Sequence, residues 1–152
     1  MITLLGVLVV IGVTVGVLST RAFEPVVGFP GGALARKEAP VPDAWAHTQD
    51  VSTIQLETRP ADPYSVNLWG VGVGKSFYVS TRPEGTGWSR NVDADPQVRL
   101  RVQDAIYAVQ AVRIESEAER DNLLDAYATK YESDRETLAG QAAIIYRLEP
   151  RS

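Results

Sequence analysis

The sequence predicts a mainly β domain of the α+β class: a small six-stranded antiparallel barrel with two outer helices, preceded by one N-terminal transmembrane helix. Three observations predict this architecture. Residues 2–20 form an uncharged apolar run, segments with alternating apolar residues recur between residues 50 and 150, and two helix-forming stretches interrupt them. Short strands joined by tight turns form antiparallel sheets, and curling such a sheet into a barrel protects its edges.

The apolar run reads ITLLGVLVVIGVTVGVLST. As a helix it would be about 28 Å long, close to the roughly 30 Å hydrocarbon core of a bilayer. A cleaved signal peptide is the alternative, but it would need a basic region before the run, and only Met1 precedes it. We therefore expect an uncleaved single-pass anchor. Basic residues follow at Arg21, Arg36 and Lys37, which predicts a cytoplasmic location for the folded domain.

Residues 21–43 are expected to form a linker between this anchor and the folded domain. They contain four prolines and three glycines, a composition that interrupts both helices and sheets. The barrel domain is therefore expected over residues 44–152.

The elements of the barrel follow from alternation and from helix signals. The short stretch over residues 87–96 is expected to be helical and to end before Pro96, and the longer helix has Ser116 as its N-cap with Glu119 three residues later. The predicted strands cover residues 50–59, 65–73, 76–82, 97–102, 105–114 and 142–150, and the predicted helices cover residues 87–96 and 116–131.

The stretch WGVGVGKSFY, residues 69–78, contains Gly-Lys-Ser but does not predict a phosphate-binding loop. Its glycine spacing is too short, and a strand-like segment follows where such a loop would begin a helix. We predict instead a two-residue hairpin turn at Gly74 and Lys75. Counting outward from that turn pairs Val73 with Ser76 and, further along, Asn67 with Arg82. The apolar side of this hairpin, including Phe77 and Val79, is expected to face the barrel interior.

The other side of the same hairpin carries aromatic and polar residues and predicts a ligand site. It leads into the turn PEGTGWSRN and the start of a helix, where free amides and the helix dipole favour an anion. An anion would be held by Ser80, Thr81, Arg82, Thr86 and the amides near Gly87. A flat ring would lie along Trp69 or Trp88.

An alternative interpretation needs no ligand. Arg82 and Arg90 would then pair with Glu84, Asp93 or Asp95, and Trp88 would only anchor its helix.

Composition excludes several other kinds of site. The net charge of −4 argues against a nucleic-acid partner. The chain has no cysteine, which excludes disulfides and thiolate ligands, and its single histidine, His47, excludes metal sites built from several imidazoles. We predict no metal site, and no residue is predicted to be catalytic.

Four segments resemble the flavin/deazaflavin split β-barrel superfamily, which includes pyridoxamine-phosphate oxidase-like proteins and deazaflavin-dependent nitroreductases. They read SVNLWGVGVGKSFYVSTR, GWSRNVDADPQVRLRV, IYAVQAVRI and LLDAYATKY. The likeness spans about residues 50–149. Its most specific part is Trp88 and Asn91 in a Trp-x-x-Asn pattern, followed by Asp95, Pro96 and Val98.

The resemblance implies a membrane-anchored oxidoreductase whose split barrel forms a homodimer. FMN or a deazaflavin coenzyme would lie in a cleft between the barrels and transfer hydride or electrons to a small organic substrate. Haem, which some split barrels bind, would need His47 and is less favoured. The cofactor-binding residues implied are Asn67, Trp69, Ser80, Thr81, Arg82, Thr86, Gly87, Trp88, Arg90 and Asn91. The alternative function is a cofactor-free barrel that acts as a binding or assembly module on the membrane.

Overall fold

The structure is a computed structural model that describes residues 24–25 and 28–152. The predicted transmembrane helix over residues 2–20 lies outside the described residues. Among those that are described, no helix combines the length and the hydropathy needed to cross a bilayer.

The described residues form a curled, mainly antiparallel sheet with three α-helices, so the prediction of a mainly β domain with outer helices is confirmed at this level. A short 3-10 turn covers Ala46–Thr48. The strands are β1 (Glu38–Ala39), β2 (Ile54–Thr58), β3 (Tyr64–Leu68), β4 (Gly70–Val73), β5 (Ser76–Thr81), β6 (Gln97–Val102), β7 (Ala105–Arg113) and β8 (Ile144–Pro150), and the helices are α1 (Gly87–Ala94), α2 (Glu117–Tyr131) and α3 (Arg135–Gln141).

The strand order across the sheet is β3-β2-β6-β7-β8-β5-β4, and the short β1 pairs in parallel with β7. All the other pairs are antiparallel. The order begins at β3 and ends at β4, which are consecutive in the chain. The sheet is therefore a half-barrel whose two outer strands are joined only through Trp69.

The predicted strand over residues 65–73 is divided at Trp69, and this break is one reason why the described sheet has eight strands instead of six. The hairpin register is as predicted near the turn, from Val73 with Ser76 to Gly70 with Val79. Beyond Gly70 the prediction is wrong, because the chain leaves β5 and pairs with β2 instead. Asn67 therefore faces Gln55 and not Arg82.

Helix α2 supplies the hydrogen bonds that the backbone needs at this break. The Gly70 N–H donates to Tyr131 Oη at 3.0 Å, and the Tyr127 hydroxyl lies 3.4 Å from the Trp69 carbonyl oxygen. Backbone groups that leave a ladder need such partners when they are shielded from water. The predicted helix over residues 116–131 is present with Ser116 as its N-cap, whereas α3 was not predicted.

The apolar residues form two layers on the two faces of the sheet. Phe77 and Val79 are fully buried in the barrel interior, as predicted. Val71 and Tyr78, on the opposite face, are covered by α2 and α3. The two glycines of β4 allow close approaches, because Trp45 lies against Gly72 and the Phe77 ring lies against Gly70.

Part of the predicted linker lies directly on the sheet. Gly31 exchanges two backbone hydrogen bonds with Ser65, at 2.8 and 2.9 Å. The buried Leu34 donates its N–H to Glu57 Oε2, and Arg99 holds the same carboxylate at 3.0 and 3.1 Å. Proline and glycine prevent a regular strand here but allow these single contacts. Where the barrel domain begins stays a prediction.

Candidate functional site

A pocket of about 330 Å³ opens where the end of β5 meets helix α3. Its size is at the lower end of the range of about 300–1,000 Å³ for small-molecule sites. One wall is aromatic, one is a row of hydroxyl groups, and one is apolar. The lining residues are Trp69, Ser80, Thr81, Arg82, Thr86, Tyr127, Leu138, Gln141 and Ala142.

The hydroxyl wall connects the end of β5 to the start of α1. Thr81 Oγ1 lies 3.3 Å from Thr86 Oγ1, and Thr86 is the N-cap of α1. The Thr86 N–H donates to Ser89 Oγ at 2.8 Å, which closes the first turn. The amides of Gly87 and Trp88 have no hydrogen-bond acceptor among residues 24–25 and 28–152. The positive end of the α1 dipole therefore lies beside Thr86 and the pocket.

Arg82 is the one cationic side chain among the lining residues, and its present contacts are weak. Its Nε lies 3.4 Å from the Gly85 carbonyl oxygen and 3.7 Å from Glu84 Oε2. The side chains of this ion pair are 67% and 75% exposed, so the pair contributes little to stability. The guanidinium is therefore available to an anion in the pocket.

The aromatic wall is a stack of two rings. Trp69 lies parallel to Tyr131, with ring centroids 4.3 Å apart and an interplanar angle of 5°. Tyr131 is fixed in turn by its hydroxyl, which accepts from the Gly70 N–H, and Lys130 donates to the Gly70 carbonyl oxygen at 2.7 Å. Because Trp69 remains 50% exposed although Tyr131 covers one of its faces, its other face is open.

Burial shifts the pKa values of the residues behind this wall. It raises the pKa of the Tyr127 hydroxyl well above its usual range and, to a smaller extent, that of Tyr131. The pKa of Lys130 is lowered, also by burial. Tyr127 is protonated at neutral pH, as an ordinary tyrosine is, and its hydroxyl is a hydrogen-bond donor beside Ser80 and the Trp69 carbonyl oxygen.

The structure brings together five of the ten predicted site residues. Trp69, Ser80, Thr81, Arg82 and Thr86 line the pocket, and Gly87 follows directly as the first residue of α1.

The other four predicted site residues do not line this pocket, so the structure does not bring them together with the first six, and their role in binding a cofactor stays a prediction. Asn67 donates to the Pro25 carbonyl oxygen at 3.2 Å, because β3 turns away from β5 before reaching the pocket. Trp88 is buried against Tyr146 in the barrel interior. Asn91 donates to Thr58 Oγ1 at 3.0 Å. Arg90 is exposed on α1.

The alternative interpretation is partly correct for these groups. Trp88 does anchor its helix, and Arg82 does approach Glu84. The other two predicted acidic partners are engaged elsewhere, because Asp93 accepts from the Tyr146 hydroxyl at 2.7 Å and Asp95 from the Gln97 N–H at 3.0 Å.

Sequence reasoning missed the wall formed by the helices. Tyr127 was not among the predicted site residues, and Leu138, Gln141 and Ala142 belong to, or directly follow, a helix that was not predicted. A signal was present, since Asp134 caps α3 by accepting from the Thr137 N–H at 2.7 Å. Arg120 then holds the end of α3 near the pocket through the carbonyl oxygens of Ala139 and Ala143.

Neither haem nor metal ligation finds support around the pocket. His47 is exposed, stacks on Trp45 with centroids 6.0 Å apart, and does not line the pocket. Within the described ranges, no three histidine or acidic side chains gather in a way that would hold a metal ion.

Comparisons with known proteins agree with this fold. The model of the F420H(2)-dependent quinone reductase family matches residues 58–145. No curated protein matches the chain.

Three solved structures share the fold at low sequence identity. An F420-H2 dependent reductase is 18% identical, with a TM-score of 0.55 over 64% of this chain and 94% of its own. HutZ, a haem storage protein from Vibrio cholerae, is 17% identical, with a TM-score of 0.56 over 68% and 84%. A pyridoxamine 5'-phosphate oxidase-type protein from Listeria innocua is 13% identical, with a TM-score of 0.51 over 66% and 85%. The resemblance to the flavin/deazaflavin split-barrel superfamily is thereby confirmed.

Proposed function

Because the chain belongs to the F420H(2)-dependent quinone reductase family, we propose that it is an oxidoreductase that binds a deazaflavin coenzyme in the pocket beside Trp69. The observation that carries this proposal is the combination of an open aromatic face, a row of hydroxyl groups and a loosely held arginine in one pocket. FMN has the same pattern of flat ring and phosphate, and the experiment below separates the two.

The aromatic wall fits a flat ring. The face of Trp69 that Tyr131 leaves open is rigid, since the stack fixes the indole and helix α2 fixes the tyrosine. Leu138 and Ala142 add apolar surface to the same pocket. A ring placed against Trp69 would be held in one orientation and shielded from water on that side.

The hydroxyl wall fits an anion such as a phosphate. Ser80, Thr81 and Thr86 offer hydroxyl donors, the first turn of α1 offers free amides, and Arg82 offers a charge. Helix starts are common phosphate sites for this reason. The nearest carboxylate, Glu84, is weakly paired and exposed, so Arg82 can exchange it for a phosphate.

A reduced deazaflavin, when bound, supplies a hydride, and the protein supplies binding, orientation and electrostatics. In this chain Trp69 would orient the ring, Arg82 would neutralise the phosphate, and Tyr127 would keep a proton on its hydroxyl beside Ser80. The family description names a quinone as the acceptor, and we propose a small organic acceptor of that class.

The pocket volume also bears on the predicted homodimer. At about 330 Å³ the pocket lies at the small end of ligand sites. We therefore expect part of the coenzyme to extend out of it, and we propose a second barrel as the cover, as the superfamily resemblance implies.

Membrane attachment is a separate part of the proposal and is supported by the sequence alone. The uncharged run over residues 2–20 would anchor the barrel, and the basic residues after it would keep the barrel on the cytoplasmic side. Membrane fractionation of the full chain, followed by protease protection in sealed vesicles, tests both statements.

The cofactor proposal is tested by titrating the detergent-extracted full chain with a reduced or oxidised deazaflavin coenzyme and, separately, with FMN. We expect the deazaflavin to bind and to quench tryptophan fluorescence, because Trp69 is the most exposed of the three tryptophans. Calorimetry gives the affinity without relying on fluorescence.

The matched variants are Trp69→Phe and Trp69→Ala. Phenylalanine should keep the affinity and lose most of the quenching, whereas alanine should weaken binding about 2- to 12-fold, since an aromatic contact contributes about 0.5–1.5 kcal/mol beyond its area. If FMN binds more tightly than the deazaflavin, the proposed coenzyme would be a flavin instead. Binding of neither coenzyme would overturn the proposal and favour a cofactor-free membrane module.

A further inference from the structure

The chain reaches the barrel very soon after the predicted anchor ends. The Pro25 carbonyl oxygen accepts from Asn67 Nδ2 at 3.2 Å and lies 3.5 Å from Gln55 Nε2. Glu24 forms an ion pair with Arg101 at 2.5 Å. Asn67 and Gln55 face each other where β3 ends and β2 begins. The chain is therefore already on this end of the barrel at residue 24.

The distance left to the bilayer is short. The predicted anchor ends at residue 20, and the four residues to Glu24 span at most about 14 Å when fully extended. The end of the barrel that binds Glu24 and Pro25 must then lie close to the membrane surface.

Two exposed aromatic side chains are close in the chain to Pro25 and Asn67. The described residues expose three large hydrophobic side chains: Phe29, Trp69 and Val73, at 71%, 50% and 37%. Phe29 lies four residues beyond Pro25, and Trp69 lies two residues beyond Asn67. Aromatic residues are enriched where proteins meet the headgroup region, because their rings are only partly compatible with water.

We propose that this end of the barrel, with Phe29 and Trp69, is a membrane-facing surface that rests in the headgroup region of the bilayer. The partner is a zwitterionic lipid surface, since Asp50 and Glu132 are exposed near this end and would disfavour anionic lipid. Glu132 follows Tyr131, and the Tyr131 hydroxyl lies 2.9 Å from the Ser52 carbonyl oxygen.

This orientation also sets the position of the pocket. Gly70 pairs with Val79, so Trp69 and Ser80 both lie at the open end of the β4–β5 hairpin, away from the turn at Gly74 and Lys75. The pocket opens at the membrane surface, where an acceptor dissolved in the bilayer can reach it.

The inference rests on the membrane anchor in the proposed function but not on the coenzyme. Its test therefore uses no coenzyme. The full chain contains no cysteine, so single-cysteine variants can be labelled at one position each. The variants are Phe29→Cys, Val73→Cys and Lys75→Cys, each labelled with a nitrobenzoxadiazole fluorophore and reconstituted into phosphatidylcholine vesicles.

Lipids with a quencher near the headgroup are expected to quench the label at residue 29 at least threefold more than the label at Lys75. Val73 lies four residues along β4 from Trp69, about 13 Å at roughly 3.3 Å per residue, so its label should be quenched less than the one at residue 29. Phosphatidylglycerol should not increase quenching at residue 29.

Intrinsic fluorescence gives an independent reading that needs no cysteine. Trp45 and Trp88 are 1% and 4% exposed, so brominated lipid should quench Trp69 almost alone, and Trp69→Phe should abolish this quenching. Equal quenching at residues 29 and 75, or stronger quenching at 75, would overturn the proposal. So would a full chain that fails to float with the vesicles. Loss of coenzyme binding with quenching retained would overturn only the cofactor proposal.

Discussion

Replacing Arg82 by alanine should weaken binding of the proposed deazaflavin coenzyme about tenfold, and replacing Arg90 should leave it nearly unchanged. Both arginines were among the cofactor-binding residues that the family resemblance implied. Only Arg82 lines the pocket. The pair of variants therefore removes the same charge from neighbouring positions, of which one faces the pocket and one does not.

The magnitude follows from the exposure of Arg82 and from its present partner. A hydrogen bond to a charged group contributes about 1.5–3 kcal/mol. The Arg82 side chain is 67% exposed, so the lower value of about 1.5 kcal/mol applies, and it corresponds to about tenfold in the dissociation constant. Releasing Glu84, which is 3.7 Å away and exposed, costs less than about 1 kcal/mol.

Calorimetric titration at low and high salt measures this effect. Raising the ionic strength from about 0.1 to 1 M shortens the screening length from about 10 to 3 Å, so the affinities of the wild type and Arg82→Ala should converge. Arg90→Ala, whose dissociation constant is expected within about twofold of the wild type, is the control for net charge. An equal loss of affinity in Arg82→Ala and Arg90→Ala would refute a specific contact between Arg82 and the phosphate. An Arg82→Ala variant with unchanged affinity would refute the placement of the phosphate in this pocket.

The remaining predictions concern stability. Gly72→Ala should lower the free energy of unfolding by about 1–3 kcal/mol, because its Cβ would overlap the Cβ of Trp45. In Gly140→Ala the added Cβ would have no heavy atom within 4 Å, so the better helix propensity of alanine in α3 should raise the free energy of unfolding by about 0.5 kcal/mol. Urea unfolding measures both, and a neutral Gly72→Ala would contradict the packing. Hydrogen bonding from Arg147 lowers the pKa of Glu119 in the folded protein. The stabilisation of the fold by this ion pair is therefore fully present above about pH 4.5 and is lost as the pH falls through the lower folded pKa. In Glu119→Gln the decline in stability below pH 5 should be shallower, and an unchanged slope would argue against this contact.

About half of the residues that line the pocket could be predicted from the sequence. Ser80, Thr81, Arg82 and Thr86 are close in the chain, so a single strand end and the next helix start bring them together. Trp69 could be added because it directly precedes Gly70, the last residue whose pairing with β5 the count from the turn gives correctly. Tyr127 and Leu138 could not be added, because they reach the pocket only through the packing of helices that are distant in sequence.

The sequence by itself determined the features that depend on neighbouring residues. Alternation placed the strands, the turn at Gly74 and Lys75 set the hairpin register next to it, and Ser116 set the start of α2. These features depend on backbone preferences and hydrogen bonds within a few residues, which a local pattern records.

Only the tertiary structure decided where the chain changes partners. The break at Trp69 depends on Tyr127 and Tyr131, which hold the backbone from about 60 residues away. That break sends Asn67 to Pro25 and leaves Trp69 beside Ser80. Whether residues 65–69 pair with β2 or with β5 depends on the packing of the whole sheet and of α2. A local sequence pattern cannot predict contacts between residues so far apart in the chain.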